Sequence, residues 1–164
     1  MHRLFLRTGI LFFTATLGVT FGTGEESLQG IRGLAVVIEP LSSEIARAGL
    51  TFTDIRTDVE LKLRLAGIKV LTIEESVNEP GSPWLYVNAN VGLSNNFVFY
   101  SIFVELKQSA RLTRDASIMS HNATTWHTAT TGFGGNSRVR EIRNVIKDLV
   151  DEFINAYLSV NPKK

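Results

Sequence analysis

Apolar and polar residues follow two rhythms along the chain, and each rhythm predicts a kind of element. Strict alternation is typical of strands with one buried face, whereas apolar residues three and four positions apart are typical of amphipathic helices. A short apolar run ending at Pro40 predicts a first strand, and three later segments with alternating or threonine-rich patterns predict an antiparallel meander. These predicted strands cover residues 34–41, 84–93, 97–112 and 117–131.

The segment 52–66 has an ambiguous pattern. Its residues alternate between apolar and charged over 59–65, as in a half-buried strand. The same segment also carries apolar residues at helical spacing, and Gly67 stands where a helix commonly ends. We therefore predict a helix here, followed by a second strand in 68–74.

The last element has the clearest pattern. From Val139 to Tyr157 apolar residues recur at helical spacing, Ser137 can cap the start, and Pro162 stops the helix. This long apolar stripe has to be buried, and the sheet is the large surface available for it. The element order predicts an α+β fold, a two-layer sandwich in which a mixed sheet of about five strands carries two helices on one face.

Residues 1–22 differ in kind from the rest of the chain. Arg3 and Arg7 precede an uncharged apolar run with small residues near its end, a pattern typical of a secretory signal peptide cut near Thr23. The run is shorter than the roughly 20 residues that a membrane-spanning helix needs. We therefore predict a periplasmic or secreted protein without a stable membrane anchor after cleavage, and a retained anchor is the alternative.

The residues after the predicted signal peptide are expected to form one domain. We expect a flexible segment at 23–33, a single α+β domain at 34–160 and a tail at 161–164. Without Arg3 and Arg7, fifteen basic residues stand against sixteen acidic ones, which gives a net charge near −1. Because nucleic-acid binders usually carry a basic excess, we expect no nucleic-acid partner.

The segment HNATTWHTATTGFGGNSR at 121–138 holds the residues most suggestive of chemistry. In a straight strand His121 and His127 would lie about 20 Å apart, too far to share a metal ion. The glycines lack the spacing of a nucleotide-binding fingerprint, and the chain has neither a cysteine nor the elbow motif of serine hydrolases. We therefore predict a strand, a glycine turn and a helix start, in a protein that is not an enzyme and uses no metal or cofactor.

The order of elements carries a resemblance to a known class of proteins. The strand LAVVIEPL, the helix ending in LRLAGIKVL, the meander and the closing helix VIKDLVDEFINAYLSVNP resemble the amino-terminal domain of the periplasmic TolB type. Envelope assembly proteins of the curli-secretion type are similar, and the likeness covers most of residues 34–160. It implies an envelope accessory module, although the chain has neither TolB's propeller nor the lipidated cysteine common among the assembly proteins.

One face of the predicted sheet keeps aromatic residues that no predicted helix covers. Open faces of antiparallel sheets are usually polar, and large exposed apolar patches commonly mark binding surfaces. We predict that this face binds a second copy of the chain or an envelope protein. Cover by residues 42–52 and a platform for a small ligand are the alternatives. The candidate interaction face comprises Trp84, Tyr86, Asn88, Phe97, Phe99, Phe103 and Trp126.

A different function remains open beside this one. The region of Trp126, His127 and Arg138 combines an aromatic ring, a histidine and a cation next to a predicted helix start. Helix starts attract anions because they present free N–H groups. The alternative is therefore a small-ligand-binding protein, or a small enzyme, that uses these three residues.

Overall fold

The structure, a computed structural model, describes residues 24–162, apart from the side chains of residues 136 and 137. Over this range the chain forms a five-stranded sheet and four α-helices. The predicted signal peptide at 1–22 lies outside the described residues. The elements in chain order are β1 (Leu34–Ile38), α1 (Ser43–Arg47), α2 (Phe52–Leu65), β2 (Val70–Leu71), α3 (Ile73–Val77), β3 (Trp84–Ser94), β4 (Phe97–Leu112), β5 (Asp115–Gly135) and α4 (Ile142–Val160).

The strands lie in the order β2-β1-β3-β4-β5. β1 runs parallel to both of its neighbours, and α2 carries the chain across the sheet between β1 and β2, as a parallel connection requires. β3, β4 and β5 pair antiparallel as consecutive hairpins. The predicted α+β fold, with its mixed sheet and antiparallel meander, is therefore confirmed.

Two helices cover one face of the sheet. α2 packs against β1, and α4 packs against β4 and β5. Inward strand residues such as Leu85 and Val104 are fully buried, and Phe153 of α4 is the largest fully buried side chain. None of the helices between residues 24 and 162 is both long enough and apolar enough to cross a membrane.

Two elements differ from their predicted bounds. The second strand is much shorter than 68–74, because Thr72 starts α3 with a capping box. The Thr72 hydroxyl accepts from the Glu75 amide, and the Glu75 carboxylate accepts from the Thr72 amide. The closing helix begins later than predicted, since a 3-10 helix, Asn136–Glu141, precedes α4. Such tight turns are frequent at the ends of α-helices.

The segment predicted to be flexible, 23–33, is packed on the domain over its described part. A 3-10 helix, Glu25–Leu28, places Leu28 in the core with no exposed surface. Asn161 holds the segment in place, because its Oδ1 accepts from the Gly30 amide at 2.8 Å and its Nδ2 donates to the Leu28 carbonyl at 3.0 Å. The sequence does not indicate this packing, since one leucine in a polar stretch gives no periodic signal although it fills a core position.

Leu28→Ala tests whether this segment belongs to the core. The substitution should lower the free energy of unfolding by about 2–5 kcal/mol, because it leaves a cavity among buried side chains. Gln29→Ala, at the exposed neighbouring position, should change it by no more than about 0.5 kcal/mol. Urea unfolding measures both variants, and equal effects would show that the segment does not support the fold.

Ion pairs join the two covering helices. The Arg143 guanidinium of α4 donates two hydrogen bonds to the Asp58 carboxylate of α2, from Nε at 2.5 Å and from Nη2 at 2.9 Å. Lys62 of α2 pairs with Asp151 of α4 at 2.6 Å. The hydrogen bonds from Arg143 lower the pKa of Asp58 from its ordinary value, against the opposing effect of burial.

Asp58→Asn should therefore weaken the fold in a pH-dependent way. A carboxylate whose pKa is lowered by folding stabilises the folded state above its unfolded pKa of about 4, and the contribution is lost as the pH falls through the folded pKa. We expect a loss of about 1 kcal/mol at pH 7, because Arg143 is partly exposed and solvent screens the pair. Urea unfolding at neutral pH and below about pH 4 should show the loss shrinking with acid.

Asp148→Asn is the matched control on α4, because Asp148 is exposed and has no ion pair within residues 24–162. It should lose little stability at either pH. An Asp58→Asn effect that is the same at both pH values would mean that packing, and not the charge pair, is responsible.

Candidate functional site

The face of the sheet away from α2 and α4 carries most of the aromatic residues expected there. Along β3, partly exposed residues alternate with buried ones from Trp84 to Ala89. β4 continues this face, since Asn88 of β3 pairs with Phe103 of β4. We call it the open face. The predicted residues that lie on it are Trp84, Tyr86, Asn88, Phe97, Phe99 and Phe103.

Trp126 lies on the opposite face, and the prediction that it points outward is wrong. Its side chain is 7% exposed, and its ring meets Phe153 edge-on with 5.2 Å between ring centres. The cause is a β-bulge, because consecutive residues of β4 pair with Trp126 and Thr124 and leave Thr125 as an extra residue. One inserted residue turns every later side chain of the strand to the opposite face of the sheet, so Trp126 points into the core.

The alternative ligand region is not assembled by the fold. Trp126 and His127 line a shallow depression beside Glu152 of α4. Arg138 follows the far end of β5, where it borders a small cavity of about 60 Å³ and pairs with Glu141 at 2.7 Å. The structure does not bring Arg138 together with the other two predicted residues.

The middle of the open face is polar. The Tyr86 hydroxyl donates to Oε2 of Glu39 at 2.5 Å, and this hydrogen bond, together with burial, raises the pKa of Tyr86 to about 12. Nζ of Lys107 stands 5.3 Å from the centre of the Tyr86 ring, within reach of a cation–π contact. The same ammonium pairs with Glu105 at 3.1 Å and donates to Thr124 at 2.9 Å. The charged groups in the middle of the open face therefore have partners within it. This polar middle lies between two less polar ends of the face.

One of those ends is built from phenylalanines. Phe133 of β5 is 80% exposed and pairs across the strands with Phe99 of β4, which is 54% exposed. Phe97 and Phe103 lie on the same face of β4 and are also exposed. The Phe99 ring lies across Gly92 of β3, where a β-carbon would clash with it, so the glycine lets the ring lie on the sheet. We call Phe97, Phe99, Phe103 and Phe133 the phenylalanine patch.

Phe133 is a candidate that the sequence prediction missed. The predicted strand ends at residue 131, whereas β5 continues to Gly135. In β5 the alternation that places His127 outward also places Phe133 outward. The predicted strand has Trp126 outward, and alternation continued from there would turn Phe133, seven residues further on, to the inner face. The flanking glycines concealed the signal, because glycines are more typical of turns than of strands.

The open face also contains a serine–histidine contact. Oγ of Ser109 and Nδ1 of His121 are 3.4 Å apart. No carboxylate within residues 24–162 hydrogen-bonds to His121, so this histidine lacks the third group that orients a catalytic base. Over the same described range, no group of three His, Asp or Glu side chains is placed to hold a metal ion. Neither a protein-family model nor a curated protein sequence matches the chain.

The two tryptophans should differ in their access to solvent. In a Trp84→Phe variant the remaining Trp126 should emit at shorter wavelength and be quenched weakly by acrylamide, because it is buried in the core. In a Trp126→Phe variant the remaining Trp84 should be quenched more steeply, because it lies partly exposed on the open face. Unfolding in urea should make the two quenching slopes equal. Equal slopes in the folded proteins would contradict the burial of Trp126.

Proposed function

We propose that this protein is an exported, non-catalytic interaction module that associates with a second copy of itself through the phenylalanine patch. The patch carries the proposal, because its four phenylalanines share one uncovered face and Phe99 and Phe133 form a cross-strand pair. Monomeric soluble proteins seldom leave large contiguous apolar patches in water. Burying one such side chain stabilises a complex by about 1.5–3 kcal/mol.

The chemistry of the patch suits a second copy of the same chain. Its side chains are uncharged, so two identical patches can meet without repulsion between like charges. A two-fold dimer requires such a self-complementary surface, because each subunit contributes the same residues. The charged and hydroxyl groups around Tyr86 and Lys107 border the patch, and a polar border around an apolar centre is typical of interfaces.

Export and an accessory role rest on the sequence. The basic start and apolar run of residues 1–22 are typical of a secretory signal. The resemblance of the element order to the amino-terminal domain of TolB supports a role in the bacterial envelope. No carboxylate within residues 24–162 hydrogen-bonds to His121, so the Ser109–His121 contact lacks the third group of a catalytic triad. This supports a role other than catalysis.

Light scattering on the chain from residue 23 to 164, measured across a dilution series, tests self-association. The wild-type protein should show a dimer that dissociates on dilution. Phe99→Ala combined with Phe133→Ala should raise the dissociation constant at least about tenfold, because two aromatic side chains leave the interface. Circular dichroism should show an unchanged fold, since both side chains are exposed.

Leu61→Ala combined with Leu65→Ala is the matched control. These leucines of α2 are 51% and 77% exposed, so the control also removes apolar surface, but far from the patch. The control should dimerise as the wild type does. A wild-type protein that stays monomeric at every concentration would contradict the proposal, and so would equal weakening by both double variants.

A further inference from the structure

A cavity of about 410 Å³ opens on the same face, at the other end of β3. It lies between α3, β1, the start of β3 and the paired strands β4 and β5, and Trp84 forms one of its walls. Trp84 and Ser94 stand at opposite ends of β3, roughly 30 Å apart along a strand. Because Ser94 is the residue that pairs with Phe97, the cavity is separate from the phenylalanine patch. Its volume falls within the range of about 300–1,000 Å³ that is typical of small-ligand pockets.

The walls of this cavity are largely apolar. Ile73 and Val77 lie one helical turn apart on α3, and both border the cavity although they are 49% and 65% exposed. Opposite them the Trp84 ring meets Tyr86 edge-on, with 5.7 Å between ring centres, which fixes its orientation. A molecule seated here would cover two aliphatic side chains that the fold itself leaves in water.

One end of the cavity is polar, and the strand is distorted there. Ser109, His121 and Asn122 supply its hydrogen-bonding groups. Adjacent residues of a regular strand point to opposite faces, yet both His121 and Asn122 border the cavity. A shift of register between Gln108 and Ala110 marks a bulge at this point, and bulges commonly redirect side chains beside binding sites.

The turn beside the cavity holds a strained residue. Ser82 has a φ of 47°, in the left-handed region that residues other than glycine seldom adopt, and the following Pro83 disfavours helical geometry further. Its hydroxyl donates to the Val77 carbonyl at 3.2 Å, and the Ser109 amide donates to the Gly81 carbonyl at 2.7 Å. Strain of this kind persists where the surrounding structure enforces it, and it clusters at ligand sites.

The kinds of side chain that line the cavity restrict which ligand it can bind. No Asp, Glu, Lys or Arg is among the described residues that line the cavity. A charged group placed there would lose its hydration without gaining a permanently charged partner. We propose that the cavity binds a small uncharged molecule with a flat apolar body and one hydrogen-bonding group. The body lies against Trp84, between Ile73 and Val77, and the hydrogen-bonding group meets Ser109 and His121.

Two fluorescent probes with the same aromatic body test this proposal on the chain 23–164, which retains every element described above. N-phenylnaphthylamine is uncharged and carries one N–H group, whereas anilinonaphthalene sulfonate adds a negative charge to the same ring system. The uncharged probe should bind saturably with one site per chain. The sulfonate should bind at least about tenfold more weakly, because no Lys or Arg among the described lining residues can pair with its charge.

Val77→Asp places a charge in the cavity wall and should weaken binding of N-phenylnaphthylamine at least about tenfold. Leu65→Asp is the matched control, because it introduces the same charge at an apolar, 77% exposed position of α2, and it should bind the probe normally. Ser109→Ala should weaken binding about three- to tenfold through the loss of a hydrogen bond. The melting temperature of each variant verifies that the fold is retained.

Dimerisation and probe binding have separate readouts. The double variant Phe99→Ala, Phe133→Ala should keep probe binding even where it abolishes the dimer. If the double variant weakens probe binding and Val77→Asp does not, the probe binds to the phenylalanine patch, and the proposal is overturned. Unaltered binding to Val77→Asp, or tighter binding of the sulfonate than of the uncharged probe, would also overturn it.

Discussion

The contact between Phe153 and Trp126 is the packing interaction on which the rest of the structure depends. Phe153 has no exposed surface, and its ring centre lies 5.2 Å from that of Trp126 and 6.4 Å from that of Tyr157. The first contact holds α4 against β5. Tyr157 extends the cluster towards the amino-terminal segment, because its hydroxyl donates to the Ile31 carbonyl at 2.7 Å. A single aromatic cluster thus joins the closing helix, the terminal strand and the first described residues of the chain.

This one-sided packing also accounts for the character of the open face. The two long amphipathic helices both lie on the inner face, whereas the short α3 borders the other face beside Trp84. Between its two less polar ends, the face carries the group in which Tyr86 binds Glu39 and Lys107 binds Glu105. An apolar patch and a partly apolar cavity can therefore occur on one face without merging into a larger exposed surface.

Much of the fold could be predicted from the sequence, because alternation and helical spacing report directly on burial. The helix at 52–66 and the closing helix could be recognised from such spacing, and the meander from alternation. Leu28 and Trp126 could not be placed, because their positions depend on contacts made far along the chain. Trp126 illustrates the reason: one inserted residue, Thr125, exchanges the faces of a strand, and nothing in the local composition marks the insertion.

The candidate sites were harder to predict than the fold, for the same reason. Phe99 and Phe103 followed from alternation within one strand, whereas the cavity beside Trp84 combines α3 with four strands and could not be predicted from any one segment. The sequence spacing of His121 and His127 argues against a shared metal ion, but it does not reveal a partner for either histidine. The structure places His121 beside Ser109, where a bulge redirects the strand.

The bulges of β5 have a consequence for the solubility of the protein. β5 is the terminal strand of the sheet and is 21 residues long, so its outer edge presents backbone groups that could recruit strands from other molecules. The register shifts fall in its first half, opposite Leu106 to Leu112, and they interrupt the even spacing of N–H and C=O groups that a recruited strand would need. The irregular half of the hairpin is thus a poorer template for strand addition than a regular edge of the same length, which opposes aggregation.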